Sequence, residues 1–295
     1  MHKQLLLPGT PPISPDYIVN VASVAHRSPF RYPGGKTWLV PHIRQWLATY
    51  ATSPAEFIEP FAGGGIIGLS VAFEKLCNHV VLAEIDDEVA SVWETILGDN
   101  GEWLADQIIE FDLEREAVEQ FLKREDTDLR EKALQTIIKN RVNRGGILAP
   151  GAGMIKNGEN GKGIASRWYP KTLYKRIHNI IKIKDRITFI HGDAFELLSK
   201  KAEQKNTVFF IDPPYTAAGK NAGRRLYTHW ELDHEKLFEL AKNLSGDFLM
   251  TYENSKEVEE LARKFDFDFQ PVAMKNAHHQ KMTELLIGRN LDWIR

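Results

Sequence analysis

The feature that most constrains this chain is a repeated alternation of short apolar segments with longer amphipathic ones. Residues 56–59, 79–84, 186–190, 207–212 and 247–252 read as strands, and each is followed by a helical pattern, at 66–76, 88–97, 194–202, 233–243 and 255–264. A further helix is expected over 37–50. Strand alternating with helix implies a parallel sheet with right-handed crossovers and helices on both faces. Two stretches break the rhythm. Residues 102–141 keep helical spacing with no strand pattern, and 145–163 is a glycine-rich loop before a helix at 171–182. The spacing therefore predicts a main α/β domain over 30–98 and 184–295, with a helical insertion over 99–183. Residues 1–29 carry Pro8, Pro11, Pro12, Pro15 and Pro29, too many for a helix or a central strand, and read as a flexible arm. Near the other end, Phe265, Phe267 and Phe269 alternate with Asp266 and Asp268 as a half-buried strand would, and 283–289 reads as its hairpin partner.

Composition enters as an exclusion. With 43% hydrophobic and 26% charged residues the chain is globular rather than disordered or collagen-like, and its 295 residues suit one large domain or two modest ones. No apolar run approaches the roughly 20 residues of a membrane span, and the leucine run before Pro8 is too short for a secretory signal. The lone cysteine, Cys77, excludes an internal disulfide and leaves a reducing, cytoplasmic setting as the expectation. Net charge is −2, but unevenly distributed. Residues 84–135 hold 17 acidic and 5 basic side chains, whereas 139–186 hold 12 basic and 2 acidic. The basic block also contains Asn140, Asn143, Trp168 and Tyr169, a mixture suited to phosphates and base edges.

Two motifs carry chemistry. Gly63, Gly65 and Gly68 satisfy G-x-G-x-x-G between a strand and a helix, and Glu84 lies at the tip of the next strand, where an acid accepts hydrogen bonds from a ribose. That combination fits an adenosine-containing cofactor, either a nicotinamide dinucleotide or S-adenosylmethionine. A phosphate loop is excluded, because Leu69 stands where the lysine should be and Phe30 stands where Gly35-Lys36-Thr37 would need its first glycine. The second motif is Asp212-Pro213-Pro214-Tyr215, directly after the apolar strand 207–211. Two prolines stop the strand and fix rigid carbonyls at the carboxyl edge of the sheet, where open α/β sheets bind ligands. Asp212 and the Pro213 carbonyl could each accept a hydrogen from an exocyclic aromatic amine, freeing its lone pair to attack a sulfonium methyl group. Tyr215 would stack on the extruded base. Cys77 follows leucine rather than proline, which excludes cytosine-C5 chemistry. The pair His278-His279 has no ligand partner at metal-binding spacing, so no metal is expected.

In order along the chain stand Arg31-Tyr32-Pro33-Gly34-Gly35-Lys36, Glu59-Pro60-Phe61-Ala62-Gly63-Gly64-Gly65, Ala83-Glu84-Ile85-Asp86, Gly192-Asp193 and Asp212-Pro213-Pro214-Tyr215. This set resembles the Dam-like, alpha-group DNA adenine-N6 methyltransferases over roughly residues 30–290. The resemblance implies a Rossmann-like methyltransferase fold, mostly parallel with an antiparallel last strand, in which 99–183 serves target recognition. It implies S-adenosylmethionine held by Tyr32, Lys36, Phe61, Gly63, Gly65, Glu84, Ile85, Asp193 and Asp212, with Lys36 suited to the methionyl carboxylate. It implies double-stranded DNA as substrate, contacted by Arg141, Asn143, Arg144, Lys156, Lys162, Arg167, Lys220, Arg224 and Arg225. Tyr227 and Trp230 would anchor the loop after the tetrapeptide. A monomer or weak dimer in the prokaryotic cytoplasm, with a cognate restriction enzyme as an allowed partner, completes the expectation. Cytosine-N4 or RNA amine methylation, a nicotinamide oxidoreductase and a non-catalytic DNA-binding subunit remain as alternatives. The departure from the Dam proteins is greatest over residues 143–150, so no GATC target follows.

Overall fold

In the computed structural model, residues 13–125, 127–215, 225–275 and 280–295 are described. They form a seven-stranded sheet of β1 (Glu56–Glu59), β2 (His79–Glu84), β3 (Ile187–His191), β4 (Thr207–Ile211), β5 (Asp247–Glu253), β6 (Asp268–Lys275) and β7 (Lys281–Gly288). Their order is β3-β2-β1-β4-β5-β7-β6. The first five strands are parallel, and β7 enters antiparallel between β5 and β6.

The strand sequences explain the two-sided sheet. On β4, Val208 and Phe210 enter one core while Phe209 and Ile211 enter the other, and all five residues of the strand are buried. Strand β2 repeats the split, with Val80 and Leu82 on one face and Val81 and Ala83 on the other. A continuous apolar run is what a parallel strand covered on both faces requires. The first core is closed by α1 (Val40–Leu47), α2 (Ile66–Glu74) and α3 (Asp87–Leu97). The second is closed by α8 (Ala194–Lys201), α9 (His234–Lys242) and α10 (Lys256–Lys264).

Helices α4 (Gly101–Glu110), α5 (Arg115–Phe121), α6 (Leu129–Val142) and α7 (Pro170–Ile181) make up the insertion. Their Leu104, Ile108, Ile137, Ile138 and Ile177 join the first core, so the inserted layer is continuous with α3.

Two expectations change. Residues 13–29 are a strap rather than a free arm: the Pro15 carbonyl accepts from Ala273 N on edge strand β6, Ile13 N donates to Gln45 Oε1, and Val19 and Val24 are buried. The strap covers backbone groups that an edge strand would otherwise leave open. The strand anticipated at the phenylalanine alternation starts later, at Asp268, because Asp266 takes a left-handed turn (φ 59°) that ends α10. Pro271 sits within β6, which is the edge position where a missing N–H is tolerated. Among the described residues no helix is long and apolar enough to cross a membrane.

Candidate active site

The carboxyl ends of β1, β2 and β4 open into a cleft of about 1010 Å³. That is the upper end of the ~300–1,000 Å³ typical of a single small-molecule site. It lies where the chain switches from the β1-β2-β3 half of the sheet to the β4-β5 half, the usual ligand crevice of an open α/β sheet.

The glycine loop forms its floor. Gly63 and Gly65 have φ of 47° and 60°, which side-chain-bearing residues rarely adopt. Their space is also taken: a Cβ at Gly63 would lie 2.5 Å from the Tyr32 ring, and one at Gly65 would lie 2.8 Å from Trp93. Trp93 Nε1 in turn donates to the Gly63 carbonyl at 2.9 Å. The glycines therefore admit two aromatic side chains as well as a close ligand.

Glu84 holds this loop from β2. Its carboxylate accepts from the backbone N–H groups of Gly63, Ile85 and Asp86 at 2.9, 2.9 and 3.0 Å. A carboxylate has about four acceptor positions, so roughly one is left for a ribose hydroxyl. Burial pushes its proton affinity up. Phe61, Ile85 and Asp193 line the same cleft. Asp193 also caps α8, accepting from Phe195 N and Glu196 N, so capping and lining coincide in one residue.

Glu59, at the end of β1, is fully enclosed and accepts from Gly68 N at 2.7 Å. Burial raises its pKa from 4.5 to about 8. Because the folded value is the higher one, the stability this group contributes is present below about pH 4.5 and is lost as pH rises toward about 8. Glu59→Gln keeps an acceptor for Gly68, and thermal melts across that window are expected to show a flatter pH dependence than the wild type. An equally steep fall in the variant would assign the effect to another group.

The tetrapeptide follows β4. Asp212 Oδ1 is held from three sides: Lys36 Nζ at 2.9 Å, Thr251 Oγ1 at 2.7 Å and Tyr215 OH at 3.0 Å. Among the described residues Oδ2 makes no hydrogen bond. It is the carboxylate oxygen left without a donor, on a residue that lines the cleft. Lys36 is buried, contacts Glu284 on β7 at 3.7 Å and donates to the Gly34 carbonyl. Lys36 lines the cleft, as expected of a cofactor-binding residue, and its ammonium is held by Asp212 and Glu284. Burial opposes its charge, but the two carboxylates win and hold its pKa above the usual lysine value.

Tyr215 shares the cradle. Its hydroxyl also lies 3.1 Å from Glu284 Oε2, its ring stacks on Tyr252 with centroids 5.9 Å apart, and the Lys36 ammonium lies 4.8 Å from its centroid. The expected stacking on an extruded base competes with these contacts, since the phenol orients Asp212. Glu284 and Thr251 were missing from the sequence reading, and no local motif marks them.

The expected DNA contacts divide. Arg141 and Asn143, expected at base edges, are 4% exposed. Asn143 Nδ2 donates to the Ile147 carbonyl at 2.9 Å, and Arg141 Nη2 to that of Pro29. Asn140 staples the same region, bonding Arg31 N, Arg31 O and Gly146 O. Arg144, Lys156, Lys162 and Arg225 are exposed, while Arg167 lines the cleft and pairs with Glu159. Lys220, Arg224, His278 and His279 lie outside the described residues. Tyr227 donates to the Pro33 carbonyl, tying the far end of the tetrapeptide loop to the segment before Lys36. Among the described residues no group of three or more His, Cys, Asp or Glu is arranged to hold a metal.

A sheet of this order brings the glycine loop after β1 and the Asp-Pro-Pro-Tyr carboxylate after β4 to one cleft. The family follows directly: the chain belongs to the D12 class N6 adenine-specific DNA methyltransferases, whose model matches residues 32–275. It is an adenine-specific DNA methyltransferase. A curated relative, the type II methyltransferase M.MjaIII of Methanocaldococcus jannaschii, is 22% identical over 228 residues, covering 72% of this chain and 77% of its own. Among solved structures, a Pyrococcus horikoshii protein provisionally described as an RNA methyltransferase has 11% identity and a TM-score of 0.41, covering 92% of this chain and 95% of its own. A methyltransferase from Geobacter sulfurreducens has 12% identity and a TM-score of 0.36, covering 85% and 78%.

Proposed function

We propose that the chain transfers the methyl group of S-adenosylmethionine to N6 of an adenine extruded from double-stranded DNA, in the manner of the Dam-like alpha group. The observation that carries this reading is the state of Asp212. One oxygen is anchored by three donors, the other is open to the cleft, and the carboxylate shares that cleft with the glycine loop and Glu84.

The cleft residues fit the cofactor. Glu84 has acceptor capacity left for a ribose hydroxyl, Asp193 and Ile85 flank it for the adenine, and Tyr32 lies over Gly63. When bound, S-adenosylmethionine supplies an electrophilic methyl group. The remaining chemistry belongs to the chain. Asp212 Oδ2 accepts one hydrogen of the target amine and the Pro213 carbonyl accepts the other, drawing the nitrogen lone pair out of the ring. Lys36, Thr251 and Tyr215 keep the carboxylate from rotating, so that positioning supplies most of the acceleration. The exposed cations of the insertion, Arg144, Lys156 and Lys162, face DNA in this reading. A cognate restriction enzyme is the partner this reading allows. Incubation with methyl-labelled S-adenosylmethionine and mixed duplex DNA is expected to yield N6-methyladenine on nucleoside analysis. Label on cytosine N4, or on RNA alone, would overturn the assignment.

A further inference from the structure

Arg31, Arg141, Arg167 and Arg176 converge on the end of the cleft between the N-terminal strap and helices α6 and α7. Arg31 and Arg176 were absent from the expected DNA contacts. Among the described residues Arg167 alone of the four forms an ion pair, with Glu159. Arg141 is 4% exposed, and among the described residues its Nε and the Nη1 of Arg31 are buried without a hydrogen-bond partner. The bonds this group does make go to neutral carbonyls, Arg141 Nη2 to Pro29 and Arg176 Nη1 to Ser28 at 3.0 Å. Carbonyls orient a guanidinium but do not neutralise it.

Burial, then the like charges of Arg176 and Arg31, push Arg141 down to about 9. Burial also lowers Arg176, and burial followed by the charge of Arg167 lowers Arg31. A cluster of four buried or half-buried cations with one nearby carboxylate, Glu159, carries excess positive charge at a cost, and a bound anion lowers that cost. Planar guanidinium forks match tetrahedral oxyanions.

We propose that Arg31, Arg141 and Arg176 form a pocket for a backbone phosphodiester of the DNA strand that carries the target adenine. The inference rests on the DNA-methylation reading above. A phosphodiester is favoured over the cofactor's carboxylate by the surroundings. The rim, with exposed His26, Thr172 and Tyr169, opens to solvent where a strand can enter, whereas Glu59 and Glu84 close the other end behind the glycine loop. The three arginines reach this point from one segment before β1 and from two inserted helices. Seating a phosphate here therefore couples the insertion to the glycine loop, which Ser28 Oγ touches through the Gly64 carbonyl at 2.5 Å.

The test is the salt dependence of binding to a fluorescein-labelled duplex, with S-adenosylmethionine affinity measured separately by calorimetry. Arg176→Gln is expected to lower DNA affinity about tenfold at low salt and to reduce the slope of log K against log salt by about one. Its S-adenosylmethionine affinity stays at the wild-type value. Arg176→Lys restores the slope, which a folding defect would not permit. A DNA slope unchanged in Arg176→Gln overturns the pocket while leaving the DNA reading intact. So does weakened S-adenosylmethionine binding with an unchanged slope, which would give the cluster to the methionyl carboxylate. A wild-type protein that binds no duplex overturns both together.

Discussion

Asp212→Asn is expected to leave the fold and duplex binding in place while slowing methyl transfer on the order of a hundred- to a thousand-fold or more. The asparagine has the shape of the aspartate, so Thr251 and Tyr215 still find an oxygen where Oδ1 stood. The other end becomes an NH2. It can face the substrate amine, where it repels the hydrogens it should accept, or it can turn inward against the Lys36 ammonium. Either orientation removes the open acceptor. Single-turnover transfer of labelled methyl, with affinity for duplex DNA and S-adenosylmethionine measured in parallel, separates the chemical loss from a binding loss. A near-wild-type rate would remove Asp212 from the reaction.

Lys36→Met carries the second large effect, and it acts on stability as well as rate. The lysine ammonium serves two carboxylates whose side chains are only 20% and 15% exposed, Asp212 and Glu284. Removing one partner of a buried ion group costs on the order of 3–5 kcal/mol, because the charge left behind has no counter-charge. Methionine keeps the volume, so the loss reports charge rather than a cavity. Burial already raises the Glu284 pKa, and Lys36 is the largest influence opposing that rise. Without the lysine it climbs further. A carboxyl with a raised folded-state pKa contributes stability that is present at low pH and lost as pH rises through that value. The variant should therefore melt closest to wild type in acid and fall progressively below it toward alkaline pH. Methyl transfer should fall by at least an order of magnitude, since Oδ1 loses one of three anchors. Equal destabilisation at every pH would show that the lysine acts through packing alone.

What the sequence made legible follows from range. The strands of the parallel half are short apolar runs buried on both faces, and the two chemical motifs are contiguous, so each announces itself within a few residues. Gly63 and Glu84 meet because consecutive β-α units bring them together, and the spacing of the glycine motif from its acid already said so. Thr251 reaches Asp212, and Glu284 reaches Lys36 and Tyr215, only because β5 lies beside β4 and β7 beside β5, a neighbourhood fixed by sheet order rather than by spacing. Arg141 misled for a related reason. An arginine at the end of a helix in a basic block looks solvated, and it is buried only because residues 28–31, more than a hundred positions earlier, pack over it. Lys36 was recognised as a site cation, but its partner depends on strands that follow much later. Strand β6 starts later than its alternation suggested because Asp266 turns left-handed at the end of α10, a backbone choice the phenylalanine spacing does not reveal.

The placement of β7 has a consequence for how the enzyme is made. A ribosome that has delivered β1 to β5 has already delivered the glycine loop and the whole tetrapeptide, yet the partner of Lys36 and Tyr215 on β7 is still untranslated. Because β7 slots between β5 and β6, it cannot take its place until the hairpin turns back on itself. A nascent chain therefore carries both sequence motifs before it has the carboxylate that completes the ion group around Lys36 and Tyr215.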